Sequence, residues 1–328
     1  MNRHYNLGVI PPLPREDASE LEPVRVTIAL PVYNGENFVE RAIESILGQT
    51  YGEFELLISD NGSTDRTREI CTRFAAQDPR IRYVRSDVNR GAGWNYENAR
   101  ALARGTDYFK WAAHDDIIAP TFIERCVAAL DADPEAVLAF SGVAAIDADG
   151  ELLRLKKRQV EATSHLPSHR FRGVVRSNAD PEAVFGLMRV SALAHTRGQG
   201  DYVASDRVLL AELAVQGTFF EVPEVLLFNR DHPSRSVRIT GGDFRKLTSW
   251  FAPDKPEQFM PNWRLWREYA HAARHAPVSI GERVRCIAVL PAFLRGHAKL
   301  LIGDGRFLVL RMMRPWRQPS GGTAADSP

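Results

Sequence analysis

The stretch VRVTIALPVYNGEN, residues 24–37, is the most informative part of the sequence for the architecture. It begins with a β-branched apolar run and ends in a polar turn, a pattern typical of a buried strand. Over the following residues, 36–49, apolar side chains recur at the three- and four-residue spacing of a single helical face. The stretch therefore predicts the first strand and helix of an α/β unit.

The same alternation continues to residue 142. Further strands are predicted at 54–60, 81–87, 107–113 and 136–142, and helices at 65–76, at 94–104 and from Pro120 onward. Strands that alternate with helices imply a mostly parallel, Rossmann-like sheet with helices on both faces.

After residue 150 the alternation fades. Residues 152–173 are basic and weakly periodic, so they are predicted as a loop, and helices are predicted around Pro181 and over 205–215. Residues 218–236 are predicted as two strands separated by a break that contains proline, with the second strand continuing into a polar loop.

The composition excludes several classes of protein. Hydrophobic residues make up 44% and charged residues 25% of the chain, and its net charge of +1 gives no reason to expect nucleic-acid binding. Three widely spaced cysteines argue against a disulfide framework or a zinc cluster and favour a reducing compartment. The sequence shows no signal-peptide pattern and no run of about 20 apolar residues, so a cytoplasmic location is predicted.

Polar residues follow each of the first four predicted strands: Tyr33-Asn34, Asp60-Asn61, Asn89-Arg90 and His114-Asp115-Asp116. Ligands of open α/β sheets bind outside the carboxyl ends of the strands, so these clusters are expected to lie together on one rim. Taken alone, the acidic pair is equally compatible with a loop before a helix, where the helix dipole favours an acid. Asp60-Asn61-Gly62 is also an ordinary turn signal.

The turn after the first strand contains Gly35 alone, so a dinucleotide fingerprint is absent, and the sequence has no phosphate-binding loop of the G-x-x-x-x-G-K-[ST] type. A diphosphate on this rim would find little positive charge besides Arg90. A divalent cation would then supply the countercharge, and carboxylates such as Asp115 and Asp116 are ligands that Mg²⁺ and Mn²⁺ prefer.

Four segments in this order resemble the inverting family 2 glycosyltransferases, which have a GT-A fold: LPVYNGENFVERAIESILGQTY (30–51), LLISDNGSTD (56–65), NRGAGWNYENA (89–99) and AAHDD (112–116). The resemblance covers roughly residues 24–235. It implies an enzyme, hexosyltransferase-like, that uses Mg²⁺ or Mn²⁺ to transfer a sugar from a nucleotide diphosphate sugar to an acceptor hydroxyl with inversion. The acceptor would be a sugar, a lipid-linked molecule or a small molecule, in the synthesis of a glycan or of a cell-envelope polysaccharide or glycolipid.

The resemblance also implies roles for the donor-binding residues. Pro31, Tyr33 and Glu36 would border the nucleotide. Asp60 would hydrogen-bond the base with Asn61 nearby, and Arg90 would hold the base or the phosphates. Asp115 would face the ribose or the waters of the metal, while Asp116 would be the direct metal ligand. The first position of the family's Asp-x-Asp motif is His114 here, so only the later carboxylate pair matches.

Further residues are implied for catalysis. Asp206 matches the position of the catalytic base, with Ser205 in place of the usual glutamate, and Asp201 is the reserve candidate. His232 would complete the metal shell, and Arg230 or Arg235 would lie near the diphosphate. Two alternatives stay open at this point: Asp206 is also in the place of a helix cap, and His232 is also in the place of an ordinary surface-loop histidine.

The implied organisation has five segments: a mobile N-terminal arm (1–24), a donor-binding half (25–145), an acceptor and catalytic half of the same domain (146–240), a helical C-terminal extension (241–318) and a disordered tail (319–328). The basic C-terminal region forms either a solvated helical face or a surface for peripheral contact with the inner face of a membrane. The alternative functions are a non-catalytic nucleotide-sugar-binding or scaffold protein and, less well matched, a nucleotidyltransferase. The latter would need basic residues in the turn after the first strand, and PVYNGEN has none.

Overall fold

The structure is a computed structural model that describes residues 24–103, 105–156, 160–235, 238, 244–252 and 260–312. The predicted N-terminal arm, apart from Val24, and the predicted tail (319–328) lie outside these residues. Within the described part of the chain, nine strands form one sheet.

The first half of the sheet is parallel and has the strand order β3-β2-β1-β4. Its strands are β1 (Val26–Val32), β2 (Phe54–Asp60), β3 (Ile81–Arg85) and β4 (Tyr108–Trp111). Every residue of β1 and β2 is buried, as expected for parallel strands covered by helices on both faces. The four predicted strands of this half are confirmed.

The second half of the sheet is mixed. Its strands are β5 (Ile117–Ile118), β6 (Ala136–Ile146), β7 (Leu152–Leu155), β8 (Leu187–Arg189) and β9 (Thr218–Arg230). The short β8 lies antiparallel between β4 and β6, while β6 pairs with β9 in parallel. The predicted α/β architecture is confirmed, but the antiparallel strand β8 interrupts the parallel order. Strand β8 is not predicted from the sequence, because its three residues are too few to show a periodic pattern.

Helices cover both faces of the sheet. One face carries α1 (Val39–Leu47), α2 (Thr67–Gln77) and α4 (Phe122–Ala132), and the other carries α3 (Ala92–Ala101), α5 (Pro167–Arg176) and α7 (Ser205–Gln216). A one-turn helix, α6 (Val190–Leu193), follows β8. The side chains of β1 alternate between the two faces, so Ile28 packs with the first group and Ala29 with the second.

The predicted helical C-terminal extension is confirmed. It consists of α8 (Phe244–Phe251), α9 (Pro261–His275), α10 (Ile280–Ile287), α11 (Leu290–Gly296) and α12 (Ala298–Met312). Tyr269 of α9, Cys286 of α10 and Phe293 of α11 are buried in the same apolar cluster as α5 and α7. The extension is therefore part of the main core.

Two sequence-based predictions after residue 150 are wrong. The predicted loop at 152–173 contains β7 and most of α5. Its apolar face was obscured by Arg170, which is buried beside Phe171 and donates to the carbonyl oxygen of Ala214 at 2.6 Å. The helix predicted around Pro181 is a single 3₁₀ turn, Glu182–Phe185.

The predicted break in residues 218–236 is also absent, because β9 continues through Pro223. The pairing with β6 shifts at this point: Ser141 is opposite Val222, and Gly142 is opposite Val225. Pro223 thus lies in an irregularity of the ladder, where its missing N–H removes no regular hydrogen bond.

Candidate active site

The ends of β2 and β3 are joined by amide hydrogen bonds. Asn61 donates to the Asn89 side-chain oxygen at 2.9 Å and to the Gly91 carbonyl at 3.1 Å. The side-chain oxygen of Asn61 accepts from the Arg90 N–H at 3.1 Å. The guanidinium of Arg90 lies over the Trp94 ring at 4.9 Å. The second and third predicted polar clusters are therefore in direct contact.

The turn after β1 contacts its neighbours on both sides. Asn34, which has a positive φ of 49°, accepts from the Thr64 N–H at 2.9 Å. Gly35 lies so close to His114 that an added Cβ would be 2.7 Å from the imidazole Cδ2. A residue with a side chain at Gly35 would force the His114 imidazole and the Val32 side chain to shift, so this glycine allows the first and fourth clusters to lie in contact.

The other predicted nucleotide-border residues differ in exposure. Pro31 is buried in β1 opposite Ser59, whereas Tyr33 is 40% exposed. Glu36 accepts from the Arg66 N–H at 3.1 Å. Tyr33 and Glu36 are thus at the surface of the rim, while Pro31 is buried within β1.

Asp60 is buried and uses both carboxylate oxygens within the protein. One accepts from the Ser63 N–H at 2.8 Å and the other from the Tyr83 hydroxyl at 2.6 Å. Arg85 lies 3.5 Å from the second oxygen. The interpretation of Asp60-Asn61-Gly62 as a turn is confirmed by the bond from the Ser63 N–H. The predicted contact of Asp60 with a nucleotide base stays a prediction.

The acidic pair after β4 is held by the end of β9. Asp115 Oδ2 lies 3.0 Å from His232 Nε2, and the imidazole ring packs against Phe38 with 4.5 Å between ring centroids. His232 is only 7% exposed. The interpretation of His232 as an ordinary surface-loop histidine is therefore wrong.

Asp116 points to different partners. Both of its oxygens accept from the Asn229 amide at 3.1 Å, and Oδ1 also accepts from the Arg230 N–H at 2.9 Å. The adjacent carboxylates therefore have separate environments, with Asp115 facing an imidazole and Asp116 enclosed by amide donors.

These environments move the two pKa values apart. Burial alone would raise the pKa of Asp115, but the imidazoles of His114 and His232 and the charge of Arg235 outweigh it and lower that pKa. Burial and the negative charge of Asp115 raise the pKa of Asp116, against the opposing hydrogen bonds from Arg230 and Asn229. Asp115 is thus the member of the pair held in the charged form.

The two predicted diphosphate arginines lie in different places. Arg230 is fully buried, and its guanidinium donates to the carbonyl oxygens of Asp115 at 2.9 Å and Ala148 at 2.8 Å. Arg235 is partly exposed, and its charge lowers the pKa values of both Asp115 and Asp116. Of these two, Arg235 is better placed to contact a ligand at the rim.

Asp206 lies in the first turn of α7, and its side chain accepts from the Arg207 N–H at 2.7 Å. Burial raises its pKa, and the nearby charge of Glu182 raises it further. Asp201 instead accepts from Arg264 at 3.3 Å. Asp206 therefore has the properties of a proton acceptor, although it also makes the local backbone contact expected of a capping residue.

Tyr96 of α3 is near enough to both the acidic pair and Asp206 to be affected by their charges. Burial raises the pKa of its phenol, and so do the negative charges of Asp115, Asp116 and Asp206. All three carboxylates therefore act on the same half-buried side chain. The sequence offers a weak signal for this residue, an aromatic side chain in a helix that begins at the rim.

Sequence reasoning missed a buried network behind the acidic pair. Lys156 donates to Asn229 Oδ1 at 2.9 Å and forms an ion pair with Glu182. Asn229 in turn donates to Asp116, while the charge of Glu182 acts on Asp206. Lys156 belongs to a basic segment in which no pattern distinguishes it from its neighbours, so it could not be selected from the sequence.

The acidic pair and His232 could supply some, but not all, of the ligands of a divalent cation. Ligands in neighbouring positions of an octahedral ion at 2.0–2.1 Å are about 3 Å apart. Asp115 Oδ2 and His232 Nε2 have this separation, 3.0 Å. No three His, Cys, Asp or Glu side chains among the described residues could hold a metal by themselves. The remaining positions would fall to phosphate oxygens and water, as is usual for Mg²⁺.

The comparison with protein families gives a match over most of this site. Residues 27–196 match the family model described as glycosyl transferase family 2. The chain is 34% identical to chondroitin synthase of Escherichia coli over 128 residues, which are 39% of this chain and 18% of that protein. It is 33% identical to an uncharacterized glycosyltransferase of Rickettsia typhi over 125 residues, 37% of each chain. It is 30% identical to hyaluronan synthase of Pasteurella multocida over 141 residues, 43% of this chain and 14% of that protein.

These matches cover less than two-fifths of the relatives' own lengths. Among solved structures, S. aureus TarS 1–349 in complex with UDP-GlcNAc is similar with a TM-score of 0.62 and 13% identity, over 87% of this chain and 81% of that chain. This likeness confirms the predicted GT-A type of fold.

The Lys156–Glu182 pair allows a test of the network. Their side chains are 9% and 6% exposed. Replacing Lys156→Met would leave the Glu182 carboxylate buried without its partner, so the free energy of unfolding should fall by about 3–5 kcal/mol. The double variant Lys156→Met/Glu182→Gln should recover part of this loss. Urea unfolding at pH 7 measures both.

The exposed Arg66–Glu69 pair provides the control, since its side chains are 71% and 69% exposed. Arg66→Met should leave the free energy of unfolding nearly unchanged, because an exposed ion pair contributes little to stability. A loss for Lys156→Met no larger than for Arg66→Met would contradict the network.

Proposed function

The chain belongs to glycosyl transferase family 2, and we propose that it transfers a hexose-like sugar, with inversion, from a nucleotide diphosphate sugar to an acceptor hydroxyl. A divalent cation, Mg²⁺ or Mn²⁺, would be held by Asp115 and His232. The observation that carries this proposal is the contact between these two side chains, which are 117 residues apart in sequence and meet at the rim of the sheet.

The rim supports the binding of the nucleotide. Tyr33 and Arg90 are exposed there. The amides of Asn61 and Asn89 hold the turn that bears Arg90, and Asn34 holds the turn that bears Tyr33 through its bond to the Thr64 N–H. Asp60 fixes the turn after β2 through its bonds to Ser63 and Tyr83. A nucleoside placed along this edge would meet preformed backbone turns, which reduces the ordering cost of binding.

We assign direct contact with the cation to Asp115 and His232, and a supporting role to Asp116. Three observations favour this order over the sequence-based one, in which Asp116 is the direct ligand. Asp115 is kept ionised beside His232, Asp116 has both oxygens engaged with Asn229 and Arg230, and its pKa is raised. When bound, the cation would stabilise the negative charge of the departing diphosphate. Arg235 adds positive charge on the same side.

Transfer with inversion needs one displacement. The acceptor oxygen forms a bond to the anomeric carbon, the bond from that carbon to the diphosphate oxygen breaks, and the nucleoside diphosphate leaves with the electron pair. Asp206 accepts the proton of the acceptor hydroxyl. Its raised pKa makes it a stronger base than an exposed aspartate, and Ser205 beside it is fixed by a 3.0 Å bond to Gln199.

The names of two relatives favour a polymeric product. Chondroitin synthase and hyaluronan synthase are both named for a polysaccharide. We therefore propose that the acceptor belongs to a growing glycan, a cell-envelope polysaccharide or a glycolipid. The alternative of a non-catalytic donor-binding protein is less well supported, because Asp206 has the burial and raised pKa that a base requires.

Cation-dependent donor binding tests the metal assignment. A thermal-shift screen of UDP-, GDP- and dTDP-sugars should give stabilisation by one nucleotide class, and only with Mn²⁺ or Mg²⁺ present. In Asp115→Asn and His232→Gln this shift should disappear, because each variant loses one donor to the cation. Asp149→Asn, which changes an exposed aspartate, should keep it. A full cation-dependent shift in Asp115→Asn would refute the assignment.

Measuring donor binding and sugar transfer separately tests Asp206 as the base. Asp206→Asn should keep the cation-dependent thermal shift and reduce sugar transfer by at least about 100-fold, since a positioned base contributes roughly 10²–10⁴ in rate. Asp201→Asn is the matched variant and should retain most of the activity. Normal transfer by Asp206→Asn would exclude it as the base. Donor binding without transfer in the unaltered protein, with all acceptor classes supplied, would favour the non-catalytic alternative.

A further inference from the structure

Large apolar side chains are exposed on the C-terminal helices. We call this region the C-terminal apolar surface and define it by Ile280, Val284 and Ile287 on α10 and Leu300 and Ile302 on α12. Their exposed fractions are 78%, 60%, 38%, 54% and 57%, respectively. Groups of large exposed apolar side chains mark candidate interaction sites.

The surface is the outer face of an amphipathic helix. Ile280, Val284 and Ile287 follow the four- and three-residue spacing of one helical stripe. The opposite side of α10 packs into the protein, where Cys286 is fully buried. Packing of α10 on the core therefore buries the side of the helix that carries Cys286. The outer stripe has no partner among the described residues.

The charges around the surface have one sign. Arg285, Arg295, Lys299 and Arg306 are exposed. The two acids of this region are buried: Glu282 accepts from the Ser168 N–H at 2.9 Å and also forms an ion pair with Arg285, and Asp304 accepts from the Asn262 N–H at 2.9 Å. Over residues 280–306, which the structure describes throughout, the exposed charged side chains are all positive.

The shape of this region differs from that of a continuous membrane-spanning helix. Among the described residues no single helix is long and apolar enough to span a membrane, and only the two segments Ile280–Gly296 and Ala298–Arg306 together meet the length and composition. They are bent by 69° at their junction. Phe293 and Leu301 are also buried against the rest of the protein. The geometry fits a helix that lies in the plane of an interface.

We propose that the C-terminal apolar surface docks on an anionic lipid surface, with the apolar stripe inserted at the headgroup level and the arginines and lysine facing the headgroups. A second copy of this chain fits less well, because a two-fold contact would place positive charges opposite each other. The cytoplasmic leaflet is anionic, so docking would bring the protein to the inner face of a membrane.

The surface is also connected to the acceptor side of the proposed site. Asp304 of α12 bonds the first turn of α9 at Asn262, and Arg264 of the same turn bonds Asp201 at 3.3 Å. Docking would thus place the loop before Asp206 near the membrane, which suits a lipid-linked acceptor. This last point rests on the proposed function, whereas the docking itself does not.

Vesicle co-sedimentation of the full chain tests the docking without any substrate. The protein should bind vesicles of phosphatidylcholine and phosphatidylglycerol in a 70:30 ratio, and more weakly vesicles of phosphatidylcholine alone, with binding that decreases as salt increases. Arg295→Gln/Lys299→Gln should weaken binding to the anionic vesicles about 30-fold, since each basic residue near such a surface contributes about 1 kcal/mol. Val284→Ser/Ile287→Ser should weaken binding to both kinds of vesicle.

Two double variants serve as matched controls. Leu152→Ser/Leu153→Ser removes side chains that are 63% and 49% exposed elsewhere, and Arg125→Gln/Arg267→Gln removes two exposed charges elsewhere. Both should bind like the unaltered protein, and circular dichroism should show that all variants fold. Absence of binding by the unaltered protein, or equal binding by the surface variants, would overturn the proposal. So would a dimer in light scattering that the Val284→Ser/Ile287→Ser change dissociates while vesicles are not bound.

Discussion

The contact between Asp115 and His232 is the interaction on which the proposed site depends. Two adjacent carboxylates buried at a strand end are unstable unless each has compensating partners. Asp115 contacts the imidazole of His232, and Asp116 accepts from the Asn229 amide and the Arg230 N–H. All three partners lie at or just after the end of β9. The two-residue strand β5 pairs antiparallel with β9 directly after the acids and fixes this register. Compensation of the two carboxylates thus depends on the position of the end of β9.

The same compensation prepares the site for a cation. Neighbouring like charges disfavour simultaneous ionisation, and the structure resolves the conflict by lowering the pKa of Asp115 and raising that of Asp116. An ionised carboxylate and an imidazole about 3 Å apart are two donors already in place for an octahedral ion. Behind them, Lys156 joins Asn229 to Glu182, and Glu182 acts on the pKa of Asp206. The proposed cation site and the proposed base are therefore linked through one buried network.

Much of the fold could be predicted because its signal is periodic. The continuous apolar runs of β1 and β2 and the spacing in α1 predict a parallel, helix-covered sheet, and strand order then places the polar clusters on one rim. The prediction failed where a buried charge broke the pattern: Arg170 hides the apolar face of α5 because its guanidinium bonds backbone carbonyls. It also failed at Pro223, because an irregularity in the ladder tolerates a proline within β9.

The candidate residues could be selected from the sequence, but the contacts that distinguish the two acids could not. Which of two consecutive acids faces His232 depends on the turn after β4 and on the register of β9, and neither is encoded in a local pattern. The partners of Lys156 are likewise distant in sequence. The exposed apolar stripe of α10 shows the same limit, because a spacing that predicts an amphipathic helix does not say which face packs on the core.

The most direct test is the position of a cation in crystals grown with Mn²⁺ and the nucleoside diphosphate that stabilises the protein. Anomalous scattering from manganese should give a peak about 2.0–2.3 Å from both Asp115 Oδ2 and His232 Nε2, with the other ligands from phosphate and water. Asp116 should keep its bonds to Asn229 and the Arg230 N–H. A manganese ion bound directly by Asp116 and not by Asp115, or a nucleotide bound at the rim without any ion there, would contradict the account.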